Sequence, residues 1–330
     1  MTPQSPQFGI VFVANDSAIE WVLPFLNSVR EHNPAIPICL IPFDANCRRL
    51  RTLQKRYNFL CFDDQRAFSL CDHISTLYHG CVLGYYRKYA AWSGPFARFI
   101  YIDTDTIVTG PLDWLWPLLE DHYFVFSHSP NPGNRRHVWK DSVYSSGLLT
   151  TEGIEFSANA GFFAARRDAF TLEDILARAN SGLTLREHMV LSAWDQPLTN
   201  YLAVTLGKRI TSLTQLRMAV GHPRLPYQYW AAQPGALPFL GQLYVLNRWR
   251  SIKPWGIRVF LVHWAGNNTK RNGVSSRVVD LLAGFIPLLK KIKTFRYSAL
   301  RNYYANSRGS SGTLLTLADA KDLWREPSAT

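Results

Sequence analysis

Apolar runs of strand length alternate along this chain with longer segments whose apolar positions recur at helical spacing. Residues 8–14, FGIVFVA, form an unbroken apolar run, read as a strand buried on both faces. Asn15-Asp16-Ser17 supplies capping residues, and a helix is predicted from there to about residue 32, with Ile19, Val22, Leu23, Leu26 and Val29 on one face. Pro34 and Pro37 stop it; residues 36–41 predict a second strand, 46–57 a basic helix and 59–62 a third strand. That alternation predicts an α/β domain on a mixed, mostly parallel, Rossmann-like sheet flanked by helices. Neither GxGxxG nor GxxxxGK[ST] occurs in it, which argues against dinucleotide and P-loop phosphate binding.

Further along, residues 77–92 predict a helix carrying Arg87 and Lys88, and 123–127 a strand after a helix that starts at Pro111. Residues 129–151 are polar and rich in Pro, Gly, Asn and Ser, and predict a functional loop or flexible lid. A strand is expected over 157–164 (SANAGFFA), a helix from Asp168, and another over 197–206 behind Trp194-Asp195-Gln196. Residues 222–256 carry aromatics and prolines without periodicity, which predicts an irregular lobe, and 258–262 read as a last strand ending at His263-Trp264-Ala265-Gly266. Past Gly273 the pattern turns helical and basic, and 307–312 mark a flexible tail, so the expected units are 1–272 and a C-terminal helical extension over 273–330.

The most informative stretch is 99–115, FIYIDTDTIVTGPLDWL. A buried run there leads straight into Asp103-Thr104-Asp105, and ligands of such sheets bind at the carboxyl ends of the strands. Two carboxylates so placed suit Mg²⁺ or Mn²⁺ held together with substrate phosphates. The plainer alternative is a pair of turn or cap residues. Composition narrows the picture: 330 residues, 47% hydrophobic and 18% charged, describe an ordinary globular chain with ample core. The 11 tryptophans suit sugar-stacking surfaces and a large core alike. Five cysteines without CxxC or regular spacing suggest reduced thiols and no zinc site. With no leader-like start and no apolar run of about 18 residues, the expected location is cytoplasmic. An excess of 36 Lys and Arg over 24 Asp and Glu favours anionic partners; without a nucleic-acid motif, phosphorylated substrates and anionic lipid come ahead of nucleic acid.

Three further motifs join the acidic pair. Asn159-Ala160-Gly161-Phe162-Phe163 offers a glycine where a ligand approaches the backbone, Asp195-Gln196 precedes a helix, and His263-x-x-Gly266 with Lys270 follows the last strand. With these motifs in this order, the chain resembles the nucleotide-sugar glycosyltransferases of the GT-A fold, and is most similar to glycosyltransferase family 8, the glycogenin and galactosyltransferase group, over about residues 8–270. The resemblance implies that Asp103, Asp105 and His263 hold Mn²⁺ or Mg²⁺. It implies that Ala14, Asn15 and Asp16 face base and ribose, with Thr104 also among the nucleotide-sugar contacts, and that Arg87 or Lys88 reaches the nucleotide or diphosphate. Asn159 and Gly161 would contact the donor sugar, Asp195 its hydroxyls, and Gln196 would lie beneath the anomeric carbon. Gly266 and Lys270 would close over the diphosphate, Lys270 standing one position later than in the family's HxxGxxK. A UDP-sugar donor, a saccharide or lipid-linked acceptor, and retention with the leaving phosphate as base are implied in the same way. An inverting reaction would instead need a carboxylate base, for which Glu152, Glu155 and Asp195 remain open.

Two other readings stand beside this one. A phosphatase of the haloacid dehalogenase type also places DxD after a buried strand, but wants Thr or Val where Ile107 stands, and a later GDxxxD-like motif that is missing. A GT-A domain that binds nucleotide or glycan without turnover is the other. Over 281–304 an apolar stretch meets Lys290, Lys291, Lys293, Arg296 and Arg301 with interleaved aromatics. Such a segment either packs on the domain or lies on an anionic membrane, which would put the protein at the inner membrane face.

Overall fold

The computed structural model describes residues 7–219, 225–230, 259–263 and 319. The strands among them are β1 (Phe8–Ala14), β2 (Ile38–Pro42), β3 (Phe59–Cys61), β4 (Arg98–Ile102), β5 (Thr106–Val108), β6 (Phe124–Phe126), β7 (Phe162–Arg166), β8 (Ile210–Ser212), β9 (Tyr227–Trp230) and β10 (Val259–His263). Seven of them form one sheet in the order β3-β2-β1-β4-β7-β6-β8, in which β7 runs against its neighbours β4 and β6. The remaining three make a smaller sheet, β5-β10-β9, seated beside the carboxyl end of β4.

Alternation along the central strands divides the core into two layers. Ile10, Phe12 and Ala14 of β1 and Ile100 and Ile102 of β4 face the helix Ile19–His32, whereas Val11, Val13, Phe99 and Tyr101 face the helix Gln65–His79 and the aromatic cluster around Trp92. Both faces being covered explains why these strands read as continuous apolar runs. Trp92 lies against Phe99, Phe124, Phe163 and Phe170, with ring centroids 5.1–5.8 Å away. Its indole N–H donates to the Arg166 carbonyl at 3.2 Å.

Several expected boundaries move, for local reasons. Instead of a helix over 77–92, a helix spans Gln65–His79, capped by Asp64, which accepts from the Arg66 and Ala67 amides. Gly80 ends it in the left-handed region at φ 73°, and Arg87 and Lys88 ride instead on a 3₁₀ stretch, Gly84–Ser93. The basic segment 46–57 breaks into Arg48–Thr52 and Gln54–Tyr57. The strand expected over 157–164 begins only at Phe162, since Asn159-Ala160-Gly161 makes a turn into it. The helix expected from Asp168 starts at Leu172, where Thr171 and Asp174 form a capping box. Residues 129–151 are folded rather than lid-like: short helices span Pro132–Arg135 and Val143–Ser146, and Val138, Trp139 and Val143 are buried. Within the expected irregular lobe, Tyr227–Trp230 is a strand. The C-terminal extension 273–330, including 281–304, lies outside the described residues except for Asp319. No helix among the described residues is long and apolar enough to cross a membrane.

Truncating Trp92 to alanine empties the centre of the aromatic layer. Trp92→Ala is expected to lower unfolding free energy by about 3–5 kcal/mol, read from the urea midpoint.

Candidate active site

The parallel register of β1 and β4 brings the carboxyl ends of both strands to one edge, and Asp103 follows directly on β4. Its amide donates to the Gly161 carbonyl at 2.8 Å, and the buried Tyr101 hydroxyl donates to its Oδ1 at 2.6 Å. The Thr106 hydroxyl donates to the Asp103 carbonyl at 2.8 Å and closes the turn on which Thr104 and Asp105 sit. Because β5 pairs antiparallel with β10, with Thr106 opposite His263, the last strand delivers its histidine onto this turn. His263 Nε2 lies 3.2 Å from Asp105 Oδ1. One ligand-capable atom from each of Asp103, Asp105 and His263 falls within 4.8 Å of the others.

These three side chains fit a divalent cation. Asp105 Oδ1 is buried and faces His263 Nε2, with no backbone amide or hydroxyl donating to it among the described residues. Two carboxylates and one imidazole form a donor set that suits Mn²⁺ or Mg²⁺. Burial alone would lower the His263 pKa, but the Asp105 and Asp103 carboxylates raise it above the ordinary histidine value, a measure of the negative charge gathered there. Gly161 makes the approach possible. A Cβ at that position would stand 2.5 Å from His263 Cε1 and 2.6 Å from Asp103 Oδ2.

Lys88 joins this turn to the Asp195-Gln196 motif. Its buried Nζ lies 2.8 Å from Asp195 Oδ2 and 3.9 Å from Asp103 Oδ1, donates to the Ala160 carbonyl at 3.2 Å, and sits 4.4 Å over the Tyr101 ring. Burial works against the ammonium, yet the facing carboxylates hold its pKa above the ordinary lysine value. Burial likewise pushes the Asp195 carboxyl up, and Lys88 opposes that shift. Arg87 turns away. Its guanidinium grips both Asp72 oxygens at 2.9 and 2.7 Å, and also donates to the Pro42 carbonyl at 3.2 Å.

The helix Gln196–Val204 carries the rest. Gln196 Oε1 accepts from Asn159 Nδ2 at 3.1 Å and from the Ala160 amide at 3.3 Å, while its amide nitrogen donates to the His137 carbonyl at 3.3 Å. One turn on, Asn200 clasps Ala158 through both its amide and its carbonyl, at 2.7 and 2.8 Å. Asn159 Oδ1 accepts from the Gly161 amide at 2.8 Å, so the whole glycine turn is stapled to the helix. At the rim, Trp194 adopts φ 57° and remains 44% exposed, its ring stacked at 5.2 Å on Tyr85, which is 39% exposed. Burial and then the carboxylates of Asp103, Asp195 and Asp105 raise the Tyr85 hydroxyl pKa.

The residues after β1 are already engaged. Asp16 caps a helix by accepting from the Arg49 and Leu50 amides, each at 2.9 Å; Asn15 donates to Asp44 at 2.7 Å; and the Ala14 carbonyl accepts from the Phe43 amide. Gly266 and Lys270 lie outside the described residues. Sequence reasoning missed Tyr101, Asn200 and Gln228. Tyr101 stood in view beside the acidic pair, Asn200 falls one helical turn after Gln196, and Gln228 had no signal.

No protein-family model matches the chain, and no curated protein matches it. Among solved structures it is similar to an active-site variant of LgtC, at 15% identity and a TM-score of 0.50, over 78% of this chain and 87% of that one. It is also similar to the bifunctional glycosyltransferase WbbM, at 15% identity and a TM-score of 0.50, over 81% of this chain and 47% of that one. The chain has the GT-A glycosyltransferase fold. In this frame the acidic turn follows β4 of the larger sheet, and the histidine ends β10 of the smaller one.

Lys88→Met would leave the buried Asp195 without its cation. It is expected to cost about 3–5 kcal/mol of stability in urea unfolding.

Proposed function

We propose that this GT-A domain moves a sugar from a nucleoside-diphosphate donor, a UDP-sugar, to a hydroxyl of a saccharide acceptor, with retention at the anomeric carbon. The observation that carries this reading is the convergence of the Asp103-Thr104-Asp105 turn and the sequence-distant His263 at the carboxyl edge of the sheet. Asp103, Asp105 and His263 would hold Mn²⁺ or Mg²⁺, which when bound supplies Lewis-acid neutralisation of the departing diphosphate.

The chain's own residues supply the remainder. The Lys88 ammonium, preorganised by Asp195 and the Ala160 carbonyl, lies where negative charge would develop on the diphosphate. Thr104 lies on the same turn, and Ala14, Asn15 and Asp16 form the neighbouring rim for base and ribose. Arg87, locked on Asp72, supports the Lys88 segment rather than the donor. Asn159 and Gly161 border the donor sugar, and Asp195 acts on it through Lys88 rather than by direct hydroxyl contact. Gln196, whose carbonyl is fixed by Asn159 and Ala160, is the dipole for oxocarbenium-like charge. LgtC carries a glutamine among its active-site residues, which supports this choice. In a retaining course the acceptor hydroxyl arrives on the face from which diphosphate leaves, and a diphosphate oxygen takes its proton. Gly266 and Lys270, which follow His263 in the sequence, are assigned to the diphosphate by the family resemblance alone. The exposed Tyr85–Trp194 stack offers an aromatic platform for the acceptor ring. The division at 272/273 and the cytoplasmic, membrane-peripheral location of the basic extension belong to the same proposal.

Calorimetric titration of UDP and of GDP, with and without Mn²⁺, tests the donor site. UDP should bind only with the cation, and Asp105→Ala should abolish that binding; nucleotide binding under no condition would sink the reading. Gln196→Ala should keep UDP affinity while slowing UDP-sugar turnover by about a hundredfold, the scale of losing one preorganised dipole. UDP binding without turnover in the parent chain would leave a binding module, and parent-like turnover in Gln196→Ala would remove Gln196 from the reaction. Trp194→Ala should raise the KM for saccharide acceptors about tenfold without altering hydrolysis of the donor by water.

A further inference from the structure

The pairing of β9 with β10 brings a second polar side chain behind His263. Tyr227 pairs with Val259, but Gln228 pairs with Leu261, so Phe260 is an extra residue in β10. Side chains alternate along a strand, and a one-residue slip reverses the face each presents. Without Phe260 as the extra residue, Gln228 would point away from the histidine. With it, Gln228 lies on the same face as His263, fully buried, its amide group 2.8 Å from His263 Nδ1.

We propose that Gln228 is a positioning residue that selects the ring form of His263 able to bind the cation. The inference rests on the reading that Asp103, Asp105 and His263 hold a divalent ion. An imidazole binds metal through a nitrogen lone pair, and the nitrogen facing Asp105 is Nε2. The ring proton must then reside on Nδ1 and needs an acceptor. Gln228 is the group that faces Nδ1, and its Oε1 is buried with no partner among the described residues. A half-turn of the amide exchanges its donor for its acceptor, so Oε1 receives the Nδ1 proton and Nε2 is freed.

The opposite setting is equally well defined. When the Gln228 NH₂ group donates to Nδ1, the proton resides on Nε2 and faces Asp105, closing the site in the absence of a cation. One buried amide thus matches both ring forms, which a hydrophobic residue of the same volume cannot do. Outer partners of ligating histidines commonly change metal affinity by about 10–100-fold when removed.

Manganese affinity, read from the free Mn²⁺ signal in electron paramagnetic resonance, tests this on the full-length chain. Gln228→Leu should weaken Mn²⁺ binding about 10–100-fold, and Gln228→Glu, which keeps an acceptor on Nδ1, should equal or exceed the parent. Nitrogen-15 spectra of histidine-labelled parent protein, with His263 assigned by His263→Ala, should show the proton on Nδ1 once Mg²⁺ is added. This second readout needs no Gln228 variant, so a misfolded Gln228→Leu leaves the proposal testable. Parent-like Mn²⁺ affinity in Gln228→Leu, with His263→Ala impaired, would overturn the role of Gln228 alone; so would an Mg²⁺-loaded ring protonated on Nε2. Unchanged affinity in His263→Ala would overturn both this proposal and the cation reading beneath it.

Discussion

A single buried ammonium holds this site together. Lys88 comes from the 3₁₀ stretch ahead of β4, yet it reaches Asp103 after β4, Asp195 ahead of the Gln196–Val204 helix, and the Ala160 carbonyl in the glycine turn. Removing such a charge from water is costly, and only close, well-directed partners offset it. The three segments are therefore constrained to meet at Nζ. Charge balance then shapes the chemistry. Asp103, Asp105 and Asp195 contribute three negative charges, Lys88 returns one, and the remaining two are what a divalent cation would balance.

Packing sets how near those charges come. Antiparallel pairing places Ile102 of β4 opposite Phe162 of β7, so the residues flanking them, Asp103 and Gly161, are brought against each other. A side chain at Gly161 would occupy the space of the His263 ring and the Asp103 carboxylate. Behind this contact the aromatic layer around Trp92 keeps β4 and β7 in register. Interiors packed at such density transmit small displacements, so the site inherits the precision of the sheet.

The rim follows a different logic. Trp194 sits at φ 57°, a backbone region that a bulky residue seldom occupies, with its amide bound to the Leu191 carbonyl and its own carbonyl accepting from Tyr86. That local strain is retained at the residue just ahead of Asp195, where the indole stacks on Tyr85. The exposed aromatic pair and the buried Lys88–Asp195 pair are thus chemically distinct parts of one region.

The sequence by itself determined the α/β class, the parallel opening β1-β2-β3, the acidic pair at the end of β4 and the four motifs that the fold gathers. Each of these is written in local signals: unbroken apolar runs, capping residues, and functional groups next to strand ends. Tertiary structure decided between Arg87 and Lys88, adjacent in sequence, by sending one to Asp72 and the other into the cluster. It set the Asp16 carboxylate on the Arg49 and Leu50 amides, folded residues 129–151 against the core, and set Gln228 behind His263 through one extra residue in a strand. Composition and periodicity record which face of its own element a residue occupies. They do not record which distant element arrives opposite, and it is that arrival, through pairing register and the need to satisfy buried charge, that assembles the site.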